Sequence, residues 1–259
     1  MFQNRKRLKV YSISGILSCI LFLTFVNVSW KTDRSLKVVV EKKAEVNDLS
    51  SFIQQLYSDS QLASSNLSIN VFEKAMIGYL NLKDQNLLSS SKDILTIVDF
   101  TKPSTTKRMW IIDLKNKQVL LNTYVAHGQG SGADLATSFS NNAESHQSSL
   151  GFYVTSETYF GKHGLSLKLY GLDKGINDEA RDRAIVVHGA DYVSENFIKQ
   201  TGRLGRSFGC PAVPAALNTT VINYIKDKTC LFINGKSDTY QSAYLNSQVD
   251  ISNFPIKHS

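Results

Sequence analysis

The alternation of apolar and polar positions divides this chain into stretches of different character. Residues 11–30, YSISGILSCILFLTFVNVSW, contain no charged side chain. Residues 31–65 are polar and weakly patterned, and suit a tether with some helix. From Ser68 the pattern sharpens: Ile69, Phe72, Met76, Tyr79 and Leu80 recur at helical spacing and predict a packing helix with one apolar face. Strand signals begin at DILTIVDF, residues 93–100. Two β-rich runs then flank Lys115-Asn116-Lys117 and predict a hairpin. Further strands are expected at GFYVTSETYF, LSLKLYGL and RAIVVHGA, the last nearly continuous in apolar residues and ending in His188-Gly189. After Pro214, Leu217, Val221 and Ile225 lie four apart and predict a helix, with Lys226 and Lys228 where positive charge suits its end. CLFIN supplies a final strand. The tail from Gly235 is polar, with few core positions.

The expected organisation follows: a signal peptide or membrane anchor over 1–30, a linker and helical accessory region over 31–92, a mainly β domain with a few helices over 93–234, and a polar tail over 235–259. At 259 residues and 42% hydrophobic, the chain is large enough for one well-packed core and a smaller accessory region.

Charge sharpens the first of these assignments. Of a formal net charge of +7, Arg5, Lys6, Arg7 and Lys9 supply four, and residues 1–30 contain no acid. The rest of the chain carries only +3, so nothing in it favours nucleic acid as a partner. A basic start leading into an uncharged apolar run describes an exported chain, with the run either cleaved or kept as an anchor. About 20 apolar residues span a bilayer. The expectation is a protein of the cell envelope, on the periplasmic face, either secreted or anchored through residues 11–30.

The exported part contains two cysteines, Cys210 and Cys230. Cys230 lies in an apolar strand and reads as buried and inert. Cys210 lies in GRSFGCPAVP, where glycines give backbone access. A disulfide between the two is the ordinary outcome in an oxidising compartment, and it stands beside the reading of Cys210 as a nucleophile. A thiol becomes a strong nucleophile when an imidazole takes its proton, and the imidazole must be oriented through its second nitrogen. Among the five histidines, His188 closes a buried strand 22 residues before Cys210 and is the best partner on pattern. A zinc site from His127, His163, His188 and Cys210 is conceivable, but no close ligand pair supports it; no metal or other cofactor is expected. GQGSG, Gly128 to Gly132, lacks the spacing and the lysine of a phosphate loop.

His188-Gly189, followed by GRSFGCPA, resembles the L,D-transpeptidase catalytic domain, the YkuD-like group, in its variant branch with a Gly-Arg-Ser-x-Gly-Cys-Pro-Ala motif. The resemblance extends through VDFTKPSTTKRMWIIDL, VAHGQGSG, FSNN, SSLGFYVTSETYFGKHGLSLKLYGLDKGIND and ARDRAIVVHGADYVSE, roughly residues 94–215. Two departures stand out: Phe208 occupies the place of the histidine in the common motif, and the His188–Cys210 interval is long.

This resemblance implies a β-sandwich catalytic domain acting on peptidoglycan stem peptides. It makes Cys210 the acylated nucleophile, His188 its base, and Gly189 the residue whose carbonyl orients the ring. Backbone N–H groups near Gly209 and Cys210 would form an oxyanion hole, and Ser207 matches the serine of the motif. Arg206 suits a substrate carboxylate or loop packing. His127, Asn141, Ser149 and Tyr153 are candidate substrate contacts, with loop capping as the alternative. The implied reaction removes the terminal D-Ala of a tetrapeptide stem and passes the acyl group to an amine on a second stem peptide or a protein. Water as acceptor would make the chain an L,D-carboxypeptidase. A non-catalytic cell-wall binding module is the rival class.

Overall fold

The computed structural model describes residues 49–246. The segment at 11–30, most of the expected tether and the end of the tail lie outside the described residues. Among the described residues, no helix is long and apolar enough to cross a membrane.

Eight strands form one continuous sheet: β1 (Ile94–Asp99), β2 (Met109–Asp113), β3 (Gln118–Thr123), β4 (Gly151–Gly161), β5 (Gly164–Gly171), β6 (Val186–Ala190), β7 (Ala212–Pro214) and β8 (Cys230–Asn234). Their order is β3-β2-β1-β8-β4-β5-β6-β7. The β1–β8 and β6–β7 pairs are parallel and the others antiparallel. Just beyond β3, Ala126 forms an antiparallel bridge with Ala212 of β7. The two ends of the sheet thus come together, and the expected layered β domain is a nearly closed sheet.

Alternation along the central strands sends side chains to two cores. Leu95, Ile97, Trp110, Ile112, Phe152, Cys230 and Phe232 face one of them, with helical residues 49–59 and α1 (Ile69–Asp84). Val98, Ile111, Tyr153, Leu231 and Ile233 face the other, with α3 (Asn218–Ile225) packed there through Val221, Ile222 and Ile225. Each large side chain buried in this way contributes roughly 2 kcal/mol.

The helix α1 is fixed to the sheet by a missing side chain. A Cβ on Gly78 would lie 2.0 Å from the ring of Phe152, so glycine lets that ring rest on the helix backbone. At the end of the helix Lys83 pairs with Asp93 at 2.7 Å, and Trp110 Nε1 donates to the Ser65 carbonyl at 3.0 Å.

Three features differ from the sequence reading. Leu49, Phe52, Ile53 and Leu56 are buried in the α1-side core, so the polar stretch before Ser68 carries a true apolar face. The tail packs as well: Tyr240 and Ser242 donate to Asp173 at 3.0 and 2.5 Å. The third is a short helix, α2 (Glu195–Thr201), whose Ser194 side chain accepts from the Phe197 N–H. Such a cap satisfies an otherwise orphaned donor.

Candidate active site

His188 lies on β6 opposite Ala212 of the parallel strand β7, and Cys210 precedes Ala212 by two residues. This pairing brings histidine and cysteine to neighbouring strands across the 22-residue interval. The Val186 N–H donates to Cys210 Sγ at 3.4 Å, and the sulfur itself contacts the Ala184 carbonyl at 3.8 Å. The thiol is therefore held against the start of β6 and is not hydrogen-bonded to the imidazole. It is half-buried and free.

Cys230 is also free. It lies in the α1-side core, whereas Cys210 packs against the α3-side core. The two sulfurs belong to opposite faces of the sheet, and the disulfide reading does not hold.

The His188 Nδ1 is 2.9 Å from the Gly189 carbonyl. A carbonyl only accepts, so Nδ1 carries the proton and the neutral ring keeps its lone pair on Nε2. Burial pushes the His188 pKa down, the Gly189 hydrogen bond opposes this, and the nearby His163 adds to the depression. Burial pushes the Cys210 thiol up, partly offset by the Val186 N–H and the Arg183 charge. Both effects favour a neutral thiol beside a neutral imidazole at rest.

The turn carrying the cysteine is stitched to two loops. Ser207 Oγ donates to the Cys210 carbonyl at 2.6 Å and accepts from the Gly209 N–H at 3.1 Å. The Gly209 N–H, expected near an oxyanion hole, is thus engaged by Ser207 in this structure. Gly209 has φ +123°, and a Cβ there would lie 2.8 Å from the Gln147 carbonyl, so this corner requires glycine. Ser148 Oγ donates to the Gly209 carbonyl at 3.1 Å and accepts from the Gly128 N–H at 3.0 Å. The Ser207 N–H donates to the His127 carbonyl at 3.0 Å, and the Gln129 N–H to the Ser207 carbonyl at 2.8 Å.

Of the expected substrate contacts, His127, Ser149 and Tyr153 are buried, while Asn141 and Arg206 are half-exposed. His127 is buried, with Nδ1 accepting from Arg108 Nη2 at 2.7 Å. Burial, reinforced by that arginine, pushes its pKa down to about 4. Arg108 is itself fully buried and donates to the Val125 and Lys102 carbonyls. Asn141 holds Asp178 and the Glu179 N–H. Ser149 donates to the Ser140 carbonyl at 2.7 Å. Tyr153 is a core residue whose hydroxyl donates to the Ser149 carbonyl at 3.0 Å. Arg206 donates to the Gly132 carbonyl at 2.9 Å, which is loop packing. Polar groups leaving water must find partners: His127 finds Arg108, Asn141 the Asp178 carboxylate, and Ser149, Tyr153 and Arg206 loop carbonyls.

Two residues not singled out from the sequence, Arg183 and Tyr192, lie within electrostatic reach of the thiol, and Phe208 precedes it by two residues. Arg183 Nη1 reaches the Ser140 carbonyl and Ser149 Oγ at 2.7 and 2.6 Å, and its Nη2 reaches the Gln147 carbonyl at 2.7 Å. It clamps the 140–149 loop while placing positive charge near Cys210. Tyr192 lies close enough for the Cys210 charge to raise its pKa, after burial, to about 12. Phe208 is 67% exposed and stacks on His146 with centroids 4.4 Å apart. Among the described residues, no group of three His, Cys, Asp or Glu side chains is arranged to hold a metal ion.

Among solved structures, the fold is similar to the L,D-transpeptidase from Mycobacterium smegmatis, at 10% identity and a TM-score of 0.35 over 56% of this chain and 59% of that one. It is also similar to the L,D-transpeptidase from Xylanimonas cellulosilytica, at 13% identity and a TM-score of 0.31 over 56% and 63%. A third is the helical cell shape determining protein from Campylobacter jejuni, at 13% identity and a TM-score of 0.36 over 61% and 54%. The chain thus spans between 54% and 63% of the length of these solved chains. No curated protein matches the sequence. The family model for the L,D-transpeptidase catalytic domain matches residues 63–234, two-thirds of the chain. The match takes in α1, all eight strands, Cys210 and His188, and the chain belongs to the L,D-transpeptidase catalytic domain family.

Proposed function

We propose that this protein is a cysteine acyltransferase of peptidoglycan, cleaving the terminal D-Ala from a tetrapeptide stem through a thioester on Cys210. The observation that carries this reading is the His188 Nδ1–Gly189 carbonyl contact at 2.9 Å. It leaves Nε2 as the basic nitrogen on the strand paired with β7, which begins two residues after the cysteine.

In this reading the thiol swings from the Val186 N–H towards His188, which takes its proton. The sulfur attacks the carbonyl of the residue preceding D-Ala. The Cys210 N–H supports the oxyanion, and losing one such donor costs about 3 kcal/mol. The C–N bond breaks, His188 returns the proton to the departing D-Ala amine, and the thioester remains. An acceptor amine then attacks, gives its proton to His188 and leaves as an amide, regenerating the thiol. With water as acceptor, the products are a tripeptide stem and free D-Ala. Export, with residues 11–30 as signal or anchor, and action on the periplasmic side of the envelope are part of the proposal.

Purified tetrapeptide muropeptides incubated with the protein and resolved by liquid chromatography with mass detection test the reading. Dimers or tripeptides, accompanied by D-Ala and absent with H188A, are expected. Unchanged muropeptides, with binding to intact sacculi retained, would assign the chain to the rival class of wall-binding modules.

A further inference from the structure

We propose that His163, carried by the β4–β5 hairpin, is a positioning residue whose ring covers one face of His188 and fixes the plane in which Nε2 meets the thiol. The inference rests on the reading of His188 as the base.

The two imidazoles are stacked, with centroids 4.4 Å apart and planes 25° from parallel. His188 is otherwise anchored through its Nδ1 contact with Gly189. A single hydrogen bond fixes one point of a ring and leaves its tilt free; a second ring against the face supplies the missing constraint. His188 is 3% exposed although His163 is an exposed residue, so the hairpin side chain forms the outer cover of the base.

The sequence delivers His163 in three steps. Thr155 pairs with Leu169 and Thr158 with Leu167, so one extra residue on β4 makes a bulge, and bulges re-aim a strand. Gly161 pairs with Gly164, which leaves Lys162 and His163 as the turn. Ser166, the register partner of His188, donates to the Gly164 carbonyl at 3.2 Å and braces that turn.

Stacked imidazoles disfavour charge on each other. The other elements packed on His188 contribute Ser166 from β5 and Ala212 from β7, neither titratable, while Cys210 lies two residues before Ala212. Lys168 of β5 is engaged by Glu157. The charge that acts on the base is therefore that of His163. His163 lowers the His188 pKa, so the stacked ring helps keep the base free as pH falls.

The full chain, with wild type compared against H163A, H163F and H188A, tests the inference in two assays across pH. One follows acylation by tetrapeptide donor; the other follows alkylation of Cys210 by iodoacetamide, which needs no donor. H163F keeps the covering ring and is expected to hold its plateau rate within about twofold, with its acid limb moved to higher pH. H163A is expected to lose about fivefold to tenfold in plateau kcat at unchanged KM, as misplacement of a base would cause, with the same limb shift. Wild-type behaviour of H163A in both assays would overturn the inference, as would an H163F plateau as low as that of H163A. A raised KM at unchanged kcat would make His163 a substrate contact and also overturn it. Wild-type alkylation and turnover in H188A would remove the base reading itself. Absence of donor acylation with the alkylation shifts intact would refute the proposed substrate alone.

Discussion

The main-chain N–H of Val186 meets the sulfur of Cys210 at 3.4 Å. The thiol is thereby held on the first residue of the strand that carries His188. Burial keeps that thiol protonated and the His188 ring neutral at rest. The resting site is poised rather than ionised.

Arg183 links the charge at this thiol to the loop around it. R183Q removes the guanidinium that pulls the Cys210 pKa down and leaves the Ser140 and Gln147 carbonyls without their donor. Alkylation of Cys210 by iodoacetamide at pH 7 is expected to slow roughly threefold to tenfold, because the thiolate loses a favourable charge. R183K keeps the charge but not the two-armed clamp, and should retain more reactivity than R183Q. Wild-type alkylation in R183Q would show that the arginine only packs the loop.

His127 predicts how the fold responds to acid. Its pKa lies near 4 in the folded chain and near 6.5 when unfolded, so the unfolded chain binds the additional proton between these values. Stability is full above pH 6.5 and declines as pH falls towards 4, by roughly 3 kcal/mol from this group. H127N retains a carbonyl acceptor for Arg108 without a titrating group. Urea denaturation at a series of pH values should give a flatter profile for H127N than for wild type; identical slopes would contradict the assignment.

Gly78 predicts a packing cost. Alanine in a helix interior is worth about 1 kcal/mol over glycine, but at this site its Cβ would enter the Phe152 ring. Overpacking of this kind costs about 1–3 kcal/mol, so G78A is expected to be less stable by up to about 2 kcal/mol net. F152L in the same background should recover part of the loss. A G78A chain at least as stable as wild type by chemical denaturation would mean that helix and ring separate easily.

The strands were legible because alternation and β-branched runs persist over five or more residues, as in DILTIVDF and RAIVVHGA. The helix after Pro214 was legible through Leu217, Val221 and Ile225 at four-residue spacing. Leu49, Phe52, Ile53 and Leu56 have the same kind of spacing, but polar neighbours diluted it. Helix α2 is only seven residues long and buries no residue. Within the site, Cys210 and His188 were legible because a strand end and a glycine-rich corner mark them locally. Arg183 was hidden in ARDRA, a run that reads as solvated surface, and nothing in the sequence says which arginine turns inward. Asn141, Ser149 and Arg206 were chosen for their donors, yet those donors serve the Asp178 carboxylate and the Ser140 and Gly132 carbonyls, partners that no local pattern names. His163 required the register of β5 on β6, which no local pattern contains.

The most direct test of the central claim is intact-mass spectrometry of the full chain incubated with tetrapeptide muropeptides, with C210A alongside. The account predicts an adduct equal to the muropeptide less D-Ala on the wild-type chain and none on C210A, decaying into a dimer or a tripeptide. An adduct that persists in C210A, or none on a wild-type chain whose Cys210 titrates as a free thiol, would contradict it.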